Sequence, residues 1–251
     1  MPKVRTMTEG RRPKGSSGRS YRGDAGITKT PSKKKGRKES SRRWIQRQLN
    51  DPFVAEAKSR GFRSRAALKL EQMDQKHNLL RKGMSVLDLG CAPGGWLQYA
   101  SAKINLNEGT GRLVGIDLLE TEAIPGAVIL KGDINDDAML AALITHLDGQ
   151  ADLVLSDMAA DTTGHRATDH LRTTALLDIA LDTAARVLKP GGAFLAKCFR
   201  GGAEKDALDM MKRDFTDVKH IKPAASRQES VEIYVLATGY RGHNQDDEEI
   251  T

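Results

Sequence analysis

Short apolar runs that alternate with helical patterns constrain the fold of this chain more than any other feature of its sequence. Six runs rich in β-branched or aliphatic residues have the length of β-strands. They cover residues 84–89, 112–117, 127–130, 151–157, 193–199 and 231–238. A helical pattern over residues 169–188, between the fourth and fifth runs, ends at a Pro-Gly-Gly segment. This alternation predicts an α/β domain.

The composition of the predicted strands indicates how the sheet is covered. Most of them are too apolar for a sheet with one face in water, so we expect a mostly parallel sheet with helices on both faces. Upstream, residues 63–74 predict a further helix that ends near Asn78. Ser64 is its candidate cap, and Ala66, Leu70 and Met73 share one of its faces.

Positive charge is concentrated at the N-terminus. Residues 1–50 contain 16 Lys or Arg residues against three acidic residues, a net charge of +13, whereas the remaining 201 residues carry a net charge of −6. This predicts a basic, disordered tail (1–43) that binds RNA phosphates, a folded domain (44–240) and an acidic disordered tail (241–251). A solubilising extension and a mitochondrial transit peptide are the alternatives for the basic tail.

The cysteine count and the hydropathy exclude several classes of protein. Cys91 and Cys198 are the only cysteines, too few for a disulfide framework or a four-cysteine zinc site, so we expect no metal and a reducing, cytoplasmic environment. The sequence has neither an apolar run of about 20 residues nor the apolar core of a signal peptide. We therefore expect neither a membrane segment nor secretion.

A glycine-rich turn follows the first predicted strand, where α/β sheets bind ligands. Its sequence, Gly90-Cys91-Ala92-Pro93-Gly94-Gly95-Trp96, lacks the G-x-G-x-x-G spacing, which disfavours a nicotinamide cofactor. Alone, it fits a tight turn as well as a cofactor site. Asp117 ends the second strand and Asp133 follows the third, so three neighbouring strand ends are equipped to bind one nucleoside.

Five segments together give the chain a resemblance to a known family. They are Ser64-Arg65-Ala66-Ala67-Leu68-Lys69-Leu70, Asp88-Leu89-Gly90-Cys91-Ala92-Pro93-Gly94-Gly95-Trp96, Leu155-Ser156-Asp157-Met158-Ala159, Ala196-Lys197-Cys198-Phe199 and Glu232-Ile233-Tyr234. Over about residues 58–239, the sequence resembles the FtsJ-type family of S-adenosylmethionine-dependent RNA ribose 2′-O-methyltransferases. The set is far more specific than any one motif.

The resemblance implies a Rossmann-like methyltransferase fold with S-adenosylmethionine as cofactor. It also implies a catalytic Lys-Asp-Lys-Glu tetrad, here Lys69, Asp157, Lys197 and Glu232. The cofactor contacts that it implies are Gly94, Trp96, Asp117, Asp133 and Asp157. The implied substrate is a uridine of large-subunit (23S) ribosomal RNA, methylated at the stage of the ribosomal subunit by a protein that we expect to be monomeric.

The tetrad residues can also be interpreted without the resemblance. Lys197 interrupts an apolar strand, where a buried ammonium group is costly unless it is paired or neutral. Asp157 ends the neighbouring strand and can meet it, either as a structural ion pair or as part of a catalytic site. Lys69 alone fits a solvated helix lysine, and Glu232 alone fits an outward-facing strand residue. In the catalytic interpretation, Lys197 is the general base or orients the acceptor hydroxyl.

Other activities fit the sequence less well. Residues 156–160 lack the Asn/Asp-Pro-Pro-aromatic motif of adenine N6 methyltransferases, and Cys198 lies on the opposite strand face from Lys197, which disfavours cytosine C5 transfer. Residues 160–166 depart from the usual Pro-Asn continuation in a loop expected beside the substrate, which leaves the RNA target open. A non-catalytic ribosome-assembly factor and a methyltransferase of tRNA are the alternatives.

Overall fold

The computed structural model describes residues 45–46, 49–160, 163–199, 205–227 and 230–242 of the 251-residue chain. The predicted basic tail (1–43), Asp161, Thr162 and the acidic tail from residue 243 onward lie outside the described residues. Among the described residues, no helix is both long and apolar enough to cross a membrane.

Seven strands in the described part of the chain form one sheet. They are β1 (Ser85–Leu89), β2 (Arg112–Asp117), β3 (Val128–Lys131), β4 (Ala151–Ser156), β5 (Leu188–Phe199), β6 (Phe215–Ile221) and β7 (Glu232–Tyr240). Their order is β3-β2-β1-β4-β5-β7-β6. The pairs from β3 to β5 are parallel, and β7 runs antiparallel to both of its neighbours. The predicted α/β fold with a mostly parallel sheet is confirmed.

Helices cover both faces of the sheet, as predicted. They are α1 (Pro52–Ser59), α2 (Ala66–His77), α3 (Gly95–Lys103), α4 (Asp137–Leu147), α5 (Arg166–Val187) and α6 (Lys205–Asp214), with a short 3₁₀ turn at Leu106–Glu108. On one face, α2 and α3 bury Leu70, Met73 and Leu97 against the strands. On the other face, α4, α5 and α6 bury Leu143, Leu177 and Met211. These two cores hold the strand ends rigidly where the sheet meets solvent.

Two features of the fold differ from the sequence-based expectations. Strand β6 was not predicted, because only its terminal residues Phe215 and Ile221 are buried and the residues between them are polar or half-exposed; charged residues of this kind protect edge strands from pairing with other chains. Ser64 does not cap α2, which has Arg65 at its N-cap and no side-chain cap. Instead, the Ser64 hydroxyl packs against the glycine turn, so close to Gly95 that it would clash with a Cβ atom there.

Candidate active site

The four tetrad side chains meet at the carboxyl edge of the sheet. Lys69 comes from α2, Asp157 directly follows β4, and β5 and β7 supply Lys197 and Glu232. The Lys69 Nζ atom lies 2.5 Å from Glu232 Oε1, and the Lys197 Nζ atom lies 2.8 Å from Asp157 Oδ1 and 3.9 Å from Glu232 Oε2. The two ion pairs therefore share one site, because β5 lies between β4 and β7 in the sheet.

The hydroxyl of Tyr234 connects the two ion pairs through hydrogen bonds. Its hydroxyl donates to Asp157 Oδ1 at 2.7 Å and accepts from Lys69 Nζ at 3.1 Å. Burial raises the pKa of Tyr234 well above its ordinary value, and the charges of Asp157 and Glu232 raise it further, so the phenol stays protonated. Tyr234 has no role among the sequence-based predictions, although its spacing from Glu232 places both side chains on one strand face.

Asp157 carries a full negative charge at neutral pH. Burial on its own would raise the pKa of Asp157, but the ammonium groups of Lys197 and Lys69 and the hydrogen bonds from Lys197 and Tyr234 outweigh burial, so the pKa is lowered. Lys197 also donates to the Asp157 main-chain oxygen at 2.8 Å. Since two acceptors of one residue hold the Lys197 Nζ atom, its position at the edge of the sheet is fixed.

A cavity of about 370 Å³ opens beside the tetrad above strands β1, β2 and β4, and we call it the edge cavity. Its lining includes Gly90, Asp117, Leu118, Asp133, Asp157 and Met158. A volume of a few hundred Å³ is typical of small-molecule sites. Apolar walls and three carboxylates suit a nucleoside that carries a positive charge, so the residues present fit S-adenosylmethionine.

Hydrogen bonds from nearby amide groups hold two of the three carboxylates of the edge cavity, Asp117 and Asp133. Asp117 accepts from the N–H groups of Ala92 at 2.9 Å and Leu119 at 2.8 Å. Asp133 accepts from the backbone and side-chain amides of Asn135 at 3.0 and 2.8 Å, and these hydrogen bonds lower the pKa of Asp133. Both carboxylates are thus held in place as hydrogen-bond acceptors at the strand ends where the sequence predicts a bound nucleoside.

The backbone of the glycine turn borders the edge cavity at Gly90 and Ala92, whereas the Trp96 ring does not. A Cβ atom at Gly90 would lie 2.5 Å from Met158 Cγ, so only glycine fits this wall. Trp96 is 3% exposed, donates from Nε1 to the Ala66 oxygen at 2.8 Å and packs on Tyr234. Neither Gly94 nor Trp96 lines the edge cavity. A contact from this segment is therefore expected from main-chain N–H groups in the first turn of α3, which have no intrahelical acceptor.

Asp88 is an unsatisfied buried acid beneath the same turn. It is 1% exposed, and neither carboxyl oxygen has a hydrogen-bond partner among the described residues. Burial raises the pKa of Asp88 well above its ordinary value, and the nearby charges of Asp157 and Asp117 add to the effect. The raised pKa favours the neutral carboxylic acid over the carboxylate, and the neutral form costs less to leave unpaired.

A second, smaller opening of about 160 Å³ lies at the tetrad, and we call it the basic cleft. It is lined by Arg65, Lys69, Arg227, Ser230 and Glu232. The buried carboxylate of Asp51 holds both arginines, forming an ion pair with Arg65 and lying 3.4 Å from Arg227 Nη2. Because three cationic side chains face two acidic ones around it, the cleft suits an anionic ligand.

The loop after β4 is held by the carboxylate of Asp169 in α5. It accepts from the Thr163 hydroxyl and main-chain N–H at 2.7 Å and from the Gly164 N–H at 3.1 Å. These hydrogen bonds, led by that of the Thr163 side chain, lower the pKa of Asp169. The departure from the usual family pattern therefore forms an ordered turn at residues 163–165, while its residues Asp161 and Thr162 are not among those described.

Comparisons with known proteins identify relatives of this chain. A model of the FtsJ-like methyltransferase family matches residues 62–240. Proteins named ribosomal RNA large subunit methyltransferase E are similar: the one from Xanthobacter autotrophicus is 57% identical over 210 residues, covering 84% of this chain and 83% of that protein. Its namesake from Azorhizobium caulinodans is 55% identical over 206 residues, covering 82% and 86%. A solved ribosomal RNA methyltransferase from Plasmodium falciparum has a TM-score of 0.64 at 27% identity, covering 72% of this chain and 100% of that one.

Proposed function

This chain belongs to the FtsJ-like methyltransferase family, and from that membership we propose that it methylates the ribose 2′-hydroxyl of a uridine in large-subunit ribosomal RNA. Its cofactor is S-adenosylmethionine, as the family resemblance implies. The names of its relatives support the substrate. One observation carries the proposal: the tetrad stands between the edge cavity, which fits the cofactor, and the basic cleft, which suits RNA phosphate.

Lys197 is the residue that acts on the acceptor hydroxyl in this proposal. When bound, S-adenosylmethionine supplies an electrophilic methyl group whose bond to sulfur breaks as its bond to the acceptor oxygen forms. The Lys197 Nζ atom lies between Asp157, which lines the edge cavity, and Glu232, which lines the basic cleft. We assign it to orient the 2′-hydroxyl or accept its proton. As a base, Lys197 must be in its neutral amine form when the proton is transferred.

The other tetrad residues position Lys197. The carboxylate and the main-chain oxygen of Asp157 both accept from its Nζ atom. Glu232 lies 3.9 Å from the same atom and forms the closer ion pair with Lys69. Since Lys69 also lines the basic cleft, it is placed to contact the ribose or phosphate of the acceptor nucleotide.

Tyr234→Phe tests whether the phenol organises the tetrad. The variant keeps the ring against Trp96 but removes the bonds to Asp157 and Lys69, so we expect kcat to fall about tenfold, with KM for RNA and for cofactor within about twofold. Tyr240→Phe is the matched control, because that buried hydroxyl donates to the Ala185 oxygen far from the tetrad. Single-turnover rates of both variants would measure the effect, and equal rates would remove Tyr234 from the mechanism.

Arg227→Ala tests the basic cleft as the RNA side of the site. Loss of one phosphate contact should weaken RNA binding several-fold and reduce the slope of log K against log salt concentration by about one. Cofactor affinity should not change. Lys189→Ala, at the opposite end of β5 and paired with Asp152, is the control and should leave both quantities unchanged. An unchanged salt slope for Arg227→Ala would place the RNA elsewhere.

The positive charge of the N-terminal tail gives it a proposed role in RNA binding. The tail of residues 1–43 is proposed to add non-specific phosphate contacts to the folded domain (44–240), because that domain does not share the positive surplus of the N-terminus. A cytoplasmic, monomeric protein that acts on the large ribosomal subunit is the proposed setting. A non-catalytic assembly factor would not need the paired tetrad lysines, and tRNA as acceptor is an outcome that the closing experiment distinguishes.

A further inference from the structure

The guanidinium group of Arg63 bridges two segments that border the edge cavity. Its Nη1 and Nη2 atoms donate to the main-chain oxygens of Glu122 at 2.7 Å and Ala123 at 2.9 Å. The same group lies on the glycine turn, since a Cβ atom at Gly94 would come within 2.5 Å of Nη1. The side chain thus connects the glycine turn with the loop that follows β2, residues 118–127, here called the β2 loop.

The backbone of Arg63 is itself fixed to α3. Its N–H donates to Gln98 Oε1 at 2.7 Å, and the Gln98 side-chain amide donates to the Gly61 oxygen at 3.2 Å. The Arg63 side chain is only 19% exposed. One side chain of α3 therefore fixes the backbone at Gly61 and Arg63. The guanidinium group already donates to protein acceptors.

The β2 loop needs such a contact because its first residues are poorly packed. Leu118 and Leu119 line the edge cavity but are 66% and 69% exposed. Further along, Ile124 is buried in the core. Arg63 binds the loop backbone between these two parts, at Glu122 and Ala123. A planar guanidinium group can donate to two adjacent carbonyl oxygens at once, which suits this site better than the compact ammonium group of lysine does.

We infer that Arg63 is a positioning residue for the cofactor, which holds the β2 loop so that Leu118 and Leu119 close over the nucleoside. The inference rests on the proposed placement of S-adenosylmethionine in the edge cavity. Arg63 does not touch the cofactor in this account, and it acts through the loop backbone. Its removal should therefore weaken cofactor binding and leave the chemical step and RNA binding intact.

The test is calorimetric titration of the full-length chain with S-adenosylhomocysteine, the unreactive product form of the cofactor. We expect Arg63→Ala to raise Kd about tenfold and Arg63→Lys, which can keep one of the two bonds, to raise it less. At saturating cofactor, kcat should stay within about twofold of the wild type, and so should RNA affinity. Arg60→Ala is the matched control, because this neighbouring arginine pairs with Glu56 and Glu71 outside the edge cavity.

Two outcomes would overturn the inference. One is unchanged affinity for S-adenosylhomocysteine in Arg63→Ala, and the other is weakened RNA binding with normal cofactor affinity, which would make Arg63 an RNA contact. Asp117→Ala tests separately whether the cofactor binds in the edge cavity. If that variant binds S-adenosylhomocysteine normally, the edge cavity is not the cofactor site. If Arg63→Ala does not fold, hydrogen exchange of Arg63→Lys decides, with faster exchange expected in residues 118–126 and unchanged exchange in β1.

Discussion

Replacing Lys197 with alanine is expected to lower kcat for methyl transfer by about 10²- to 10⁴-fold, the usual contribution of a positioned acid–base group. The reason is geometric, because Lys197 Nζ lies at the tetrad with 2.8 Å contacts to the side chain and main chain of Asp157. Dissociation constants for RNA and S-adenosylhomocysteine should stay within about threefold. Lys189→Ala in the same strand is the control for a lost lysine.

The pH dependence of the same reaction distinguishes the two roles open to Lys197. If Lys197 removes the proton, the single-turnover rate should rise with pH until the amine is neutral, and Lys197→Arg should abolish that limb because arginine stays protonated. If Lys197 only orients the hydroxyl, Lys197→Arg should retain part of the rate and the shape of the profile. A Lys197→Ala variant with the wild-type rate would contradict both roles.

Asp157→Asn is expected to have the second largest effect, on rate and on stability together. The amide keeps the size of the side chain but leaves Lys197 without its closest counter-charge, so we expect kcat to fall about 100-fold or more. Breaking a buried ion pair costs about 3 kcal/mol in the free energy of unfolding. Chemical denaturation at pH 7 and rapid-quench kinetics would measure the two effects.

The stability effect of Asp157→Asn should depend on pH in a defined direction. The pKa of Asp157 in the folded protein lies below its ordinary value of 3.8, so the carboxylate stabilises the fold above that pH. This contribution is lost as the pH falls through the lower, folded value. The difference in unfolding free energy between wild type and variant should therefore be largest near neutral pH and shrink in acid. Asp152→Asn, in the strand that precedes Asp157, is the control. A difference that grows in acid would contradict the assigned charge.

The sequence predicts the parts of this fold that hydrophobic patterning controls. The parallel strands that end at Asp117 and directly before Asp157 are apolar runs of the right length, and the glycine turn marks the edge of the sheet where the edge cavity lies. Strand β6 was not predicted, because an edge strand with a polar surface has no apolar run. Local spacing favours Ser64 as a cap, whereas its observed packing against Gly95 is a tertiary contact, which local spacing does not report.

Sequence patterning alone predicts only part of the candidate site, because its residues meet through contacts between distant parts of the chain. Lys69 and Glu232 are separated by 163 positions and meet only because α2 packs beside the end of β7. Patterning alone favours neither as a site residue, and the family motifs were needed to select them. Tyr234 and Arg63 were missed because a buried phenol and a loop-binding arginine look like ordinary packing and surface residues in the sequence.

The most direct test of the account is transfer of a labelled methyl group from S-adenosylmethionine to large ribosomal subunits that lack ribose methylation, followed by mapping of the product. We expect one 2′-O-methylated uridine, formed by the wild type and not by Lys197→Ala. Methylation of a base, or transfer to tRNA but not to subunits, would contradict the proposed substrate. Cofactor binding without transfer to any RNA would contradict the proposed catalytic function and favour an assembly factor.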